Sequence, residues 1–191
     1  MTILPNFPLT ANAAISKHFI QNGILDFQGA IHFVQHLPYG RNTDKRDLRN
    51  VLLEGKGTCS TKHALLAQLA TENGIEGIDL MLGIYRMNEA NTRGVGQVLQ
   101  QYGLSFLPEA HNYLCFEEKR FDFTKPSSKH LSFAASLEEE IIILPHQITD
   151  FKVQYHRNFL EKWLGKNAST IQYSLTEIWE IREACIKAIS E

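Results

Sequence analysis

Hydrophobic residues recur at helical spacing in two early segments, Asn12 to Gln21 and Phe27 to Leu37. Gly23 separates them, and the Pro38-Tyr39-Gly40 turn ends the second. A short helix is predicted over Asp44 to Leu53 with Thr43 as its N-cap, before Gly55 and Gly57 stop regular structure. The strongest helical run is Thr61 to Asn73. Its alanines and leucines are good helix formers, apolar over a broad face, and Gly74 follows as the C′ residue. Ile75 to Tyr85 reads as a strand, and Thr92 to Tyr102 as a short helix weakened by Gly94 and Gly96. Glu138 to Leu144 ends in the run Ile141 to Leu144 and predicts a buried strand stopped by Pro145; Ser136 to Glu140 is its solvated approach. Helices over Thr149 to Leu164 and Ser174 to Ile189 close the chain. Helices, then strands, then helices predict an α+β fold.

Between these elements lies a hairpin whose alternation sorts polar from apolar side chains. His111 to Phe116 and Arg120 to Thr124 read as strands joined at Glu117-Glu118. That turn pairs Tyr113 with Asp122 and His111 with Thr124. His111 and Asp122 are then diagonal neighbours on one face, with Cα atoms roughly 7–8 Å apart. Leu114, Phe116, Phe121 and Phe123 occupy the other, apolar face.

Cys59 stands between the glycines and the strongest helix. A helix N-terminus carries unpaired amides and partial positive charge, which lower a cysteine pKa and favour the reactive thiolate. Gly55 and Gly57 would let a substrate approach the backbone. A catalytic cysteine needs a base and the base an orienting group, and His111 with Asp122 fits those roles. A small buried hydrophobe is the other reading of any cysteine, and it is the one taken for Cys115 and Cys185.

Composition narrows the classes. The chain has 191 residues, 43% hydrophobic, which suits one domain over 1–191. Its motif-bearing core would span 37–145, with helical segments on either side. The net charge of -2, without long runs of one sign, does not suggest nucleic acid or an anionic membrane as partner. Three widely spaced cysteines are not a disulfide framework. With no signal-peptide pattern and no spanning apolar run, a soluble cytoplasmic protein is expected.

The motifs resemble those of the transglutaminase-like superfamily. Gly57-Thr58-Cys59, followed by Leu65, Leu69 and Gly74-Ile75, is similar to its nucleophile motif. His111-Asn112-Tyr113 resembles its histidine strand, and Asp122-Phe123-Thr124 its aspartate segment. The likeness runs from Gly55 to Thr124, about a third of the chain. It implies a papain-like core in which the nucleophile helix packs on an antiparallel sheet. It also implies acyl transfer or amide hydrolysis through a thioester, with a Cys59-His111-Asp122 triad, no cofactor, and a peptide, protein or small amide as substrate. Hydrolysis is favoured over crosslinking, since the chain has no room for the accessory domains of large crosslinking members. Three positions depart from the pattern. Asp-Phe-Thr replaces Asp-Pro-Thr, Tyr113 replaces a tryptophan, and His63 stands where a small residue is usual and crowds the site. Two other readings stay open: an inactive binding module with the same fold, and a metal site built from Cys59, His63, His111 and Asp122. In the upstream turn, Tyr39 and Asn42 are candidates for a second oxyanion donor.

Overall fold

The computed structural model describes residues 4–126 and 133–189. Seven α-helices and a four-stranded sheet are found among them, so the α+β class holds. The helices are α1 (Ala14–Gln21), α2 (Phe27–His36), α3 (Asn50–Leu53), α4 (Cys59–Glu72), α5 (Gly96–Gln101), α6 (Asp150–Lys166) and α7 (Leu175–Ala188). The strands are β1 (Asp79–Met87), β2 (Leu107–Phe116), β3 (Lys119–Phe121) and β4 (Leu137–Ile143), in the order β3-β2-β1-β4. None of the described helices is long and apolar enough to cross a membrane.

The described residues divide into two compact units, one over 4–82, 112–126 and 141–149, the other over 83–111, 133–140 and 150–189. The first is organised by α4, which packs against α1, α2, α3 and the 3-10 turn Pro145–Ile148. A helix surrounded this way needs apolar residues all round rather than on one stripe. Accordingly Ala64, Leu65, Leu66, Ala67, Leu69 and Ala70 are all buried. The far end of α4 also anchors the N-terminus of α1. The Glu72 carboxylate accepts from the Ser16 amide at 2.9 Å and the Ser16 hydroxyl at 2.7 Å. It thereby meets the positive end of that helix, whose own N-cap, Ala13, offers no side-chain acceptor.

The second unit is built on α7, against which α5 and α6 pack. Ser174 and Glu177 form a capping box at its start. Arg182, midway along α7, reaches Glu109 of β2 through two charge-assisted bonds of 2.6 and 2.9 Å. The pair is nearly closed to solvent, and the Trp179 ring lies beneath the guanidinium at 5.4 Å.

The hairpin turn forms in the expected register, with Leu114 opposite Phe121 and Cys115 opposite Arg120, but β3 ends at Phe121 rather than Thr124, so the expected pairs Tyr113–Asp122 and His111–Thr124 are not part of the ladder. Both turn residues adopt positive φ, 48° at Glu117 and 61° at Glu118. A two-residue turn that follows the strand twist demands this, although glutamate is not the residue usually found there. The division into faces is only partly kept. Tyr113 and Leu114, on opposite faces, are both fully buried, whereas Phe121 and Phe123 retain some exposure.

Three other expectations are corrected. The helix foreseen from Asp44 shrinks to Asn50–Leu53, and Thr43 does not cap it. Asp44 and Asp47 instead accept from the amides of Arg46 and Arg49, holding that stretch in turns. The strand foreseen from Ile75 begins at Asp79, because Ile75 donates back to Ala70 and Gly77 takes a φ of +82°. The run Ile141 to Leu144 does not form a buried strand. β4 lies at the sheet edge, Ile142 is 63% exposed, and Ile143 is buried.

Candidate active site

The approach to Cys59 is fixed by backbone pairing. Gly57 donates to the Pro38 carbonyl at 3.1 Å, and its own carbonyl accepts from Gly40 at 3.2 Å. The reason for glycine here is packing rather than room for a substrate. A Cβ on Gly57 would lie 2.9 Å from Lys62 Cγ and 3.0 Å from Thr61 Oγ1. Gly55 has open space instead, and its φ of +62° accounts for the residue.

Thr58 caps α4 in a reciprocal box with Thr61. Thr61 Oγ1 then donates to Asn42 Oδ1 at 2.9 Å, and Asn42 Nδ2 donates to the carbonyls of Asn50 and Lys56. The Asn42 amide is thus spent on the scaffold, which removes it as an oxyanion donor. Tyr39 pairs with Gly57 in a short parallel bridge, with Lys125 Nζ 5.1 Å from its ring centroid.

Cys59 is the first residue of α4 and is 9% exposed. Its sulfur lies 3.9 Å from Ser60 Oγ. Ser60 donates to Asn112 Oδ1 at 2.9 Å, and Asn112 Nδ2 donates to the Met81 carbonyl at 2.8 Å. The first turn of α4 is thereby tied to β2 and, through Asn112, to β1.

His63 stands one helical turn after Cys59 and is fully buried. Its Nε2 accepts the Phe123 amide at 2.7 Å, so that nitrogen carries no proton. The proton is therefore on Nδ1, which donates to the Cys59 carbonyl at 2.7 Å. Asp122 Oδ1 lies 3.5 Å from Nε2 and accepts from the Thr124 amide at 2.9 Å and hydroxyl at 2.5 Å. Both ring nitrogens of His63 are committed, so this histidine ties the start of α4 to the chain after β3. It is not arranged as a base or as a metal ligand. No group of three or more His, Cys, Asp or Glu side chains suited to a metal ion occurs among the described residues.

Cys59, His63 and Asp122 thus belong to the first unit, where the Cys59 backbone carbonyl and the Asp122 carboxylate both lie against the His63 ring. His111 belongs to the second. It is partly exposed, with ring edges against Phe133 at 4.7 Å and Tyr85 at 6.0 Å between centroids. The other thiols differ from each other. Cys185 is buried, and burial with the nearby Glu109 charge pushes its pKa up to about 11. Cys115 is partly exposed, contrary to its reading as a buried hydrophobe.

Sequence reasoning missed Lys62. Its side chain has no solvent exposure, and Nζ donates to the carbonyls of Leu37 at 2.6 Å and Thr124 at 2.8 Å. Burial, reinforced by the positive charge of Lys125, lowers its pKa to about 8, against the opposing pull of Asp122 and Cys59. A signal was available. Ser60, Thr61, Lys62 and His63 are four consecutive polar residues opening a helix too apolar to have a solvent face.

No family model matches the chain, and no curated protein or solved structure matches it.

Proposed function

We propose that this protein is a cysteine-dependent acyl-transfer enzyme or amide hydrolase with a papain-like, transglutaminase-like core. Cys59 is the nucleophile, His111 its base, and Asp122 the group that orients and stabilises the imidazolium. The observation that carries the reading is the position of Cys59. It is the first residue of a capped, buried helix, with Ser60 Oγ 3.9 Å from its sulfur and the buried Lys62 one turn on. Cys185, by contrast, has the raised pKa of an inert buried thiol.

In this mechanism the Cys59 thiolate attacks the substrate carbonyl carbon and a C–S bond forms. The oxyanion is stabilised by amides at the start of α4, which have no acceptor within the helix. The C–N bond then breaks as His111 passes its proton to the departing amine, leaving a thioester. Water gives a proton to His111 and adds to the thioester, and C–S cleavage returns the thiolate. An amine in place of water completes transamidation by the same steps. His63 cannot share the base role while Nε2 holds the Phe123 amide and Nδ1 the Cys59 carbonyl.

Acyl trapping tests this reading. After brief incubation with amide and ester libraries and an acid quench, mass spectrometry should find an acyl group on the peptide bearing Cys59. Cys59→Ala should abolish both adduct and turnover, and His111→Ala should slow turnover by about 10²–10⁴-fold. A folded wild-type protein that shows neither adduct nor turnover with any library would overturn it.

A further inference from the structure

The ammonium of Lys62 poses an electrostatic problem within the first unit. It is wholly buried, and the two acceptors it holds are neutral carbonyls. Among the described residues no carboxylate forms an ion pair with it. Buried charges are ordinarily paired, because desolvation costs several kcal/mol per ion. Two further features disfavour a cation here. Lys62 lies in the first turn of α4, where the helix dipole is positive, and Lys125 adds a like charge. The neighbouring imidazole of His63 offers no compensation, since neither of its protonation forms carries negative charge.

Two groups can supply negative charge. Asp122 is linked to Lys62 through Thr124, whose carbonyl accepts from the lysine while its amide and hydroxyl bond the carboxylate. Cys59 precedes Lys62 by three residues on α4, on the same side of the helix. Charges on both groups act favourably on the lysine.

We infer that Lys62 is a positioning residue whose buried ammonium takes the Cys59 thiolate, together with Asp122, as its counter-charge. The inference rests on the reading of Cys59 as nucleophile and adds a second source of its activation, independent of His111. The same side chain holds the carbonyls of Leu37 and Thr124. It thereby fixes the segment before the Tyr39–Gly57 bridge and the segment after Asp122 against α4. Coupling of this kind is reciprocal, so the thiolate must raise the lysine pKa by as much as the ammonium lowers the thiol pKa.

The test measures both ends. Alkylation of Cys59 against pH, resolved by peptide mass spectrometry, gives the thiol pKa in wild type and in Lys62→Met, which keeps the stem and removes the charge. The thiol pKa should rise by about one unit, an approximately tenfold loss of thiolate at pH 7. Lys62→Arg should recover part of the loss, and Cys115 should not change. The reciprocal measurement needs no substitution. The Nζ resonance of Lys62, followed by nitrogen-15 NMR, should titrate at lower pH once iodoacetamide has capped Cys59. This arm decides the matter if Lys62→Met does not fold. An unchanged Lys62 pKa after capping, or an unchanged Cys59 pKa in folded Lys62→Met, overturns the inference. If Cys59 is still acylated by substrate in that case, the enzyme reading survives without it. A mutual shift without acylation keeps the pair and removes the enzyme.

Discussion

Arg182→Met is expected to lower the stability of the fold by about 3–5 kcal/mol, the usual consequence of removing one partner of a buried ion pair. Both residues are nearly closed to solvent, at 14% for the Arg182 side chain and 7% for Glu109. Their bonds are bidentate, and the stranded carboxylate would keep its desolvation cost without its guanidinium. The pH dependence follows from the direction of the shift. Burial by itself raises the Glu109 pKa, but the Arg182, His156 and Lys152 charges outweigh it and hold the group at about 2, below the usual 4.5 of a glutamate. A carboxyl depressed in this way stabilises the fold fully above its ordinary pKa. That contribution is lost as pH falls from about 4.5 towards about 2. Wild type and Arg182→Met should therefore differ most in urea unfolding near neutrality and converge in acid. His156 acts in the same direction at higher pH. Burial lowers its pKa, so the stability of its neutral form is eroded as pH falls below 6.5. A constant gap between the two proteins across the acid range would show that the Glu109–Arg182 pair is not its source.

Leu69→Ala is expected to cost roughly 2–5 kcal/mol. Leu69 has no exposed surface and sits on a helix covered on every side by α1, α2, α3 and the Pro145–Ile148 turn. Neighbours held by so many elements cannot collapse fully into the space left by the three carbons, so a cavity remains. The urea midpoint should fall with little change in slope. A loss below about 0.5 kcal/mol, typical of a surface position, would remove α4 from the core.

These two sites mark what the sequence made legible. The burial of Leu69 follows from apolar density near its neighbours in the chain. The hairpin register follows from a two-residue turn and the alternation around it. Arg182 and Glu109 lie 73 positions apart, and no local pattern joins them. The same holds for the site. The position of Cys59 at a helix start was readable from Gly57-Thr58-Cys59 and the helical run that follows. The task of His63 was not, because the Phe123 amide that fixes its tautomer comes from 60 residues away. Lys62 was missed because a lysine normally marks a solvated face. β4 failed for the opposite reason. Four apolar residues in a row suggest burial, but an edge strand leaves one face to water. Asp44 and Asp47 show local side-chain bonds prevailing over helical periodicity.

Whether Cys59 is a nucleophile or a packed thiol is decided by its rate of alkylation against pH in the wild-type protein. Cys115 and Cys185 serve as internal references, one partly exposed and one buried. Cys59, although 9% exposed, should react faster at pH 7 than either. Its apparent pKa should lie at least about one unit below the 8.5 of a free cysteine. A Cys59 that titrates at or above about 8.5, and reacts no faster than Cys115, is a packed thiol and not a nucleophile.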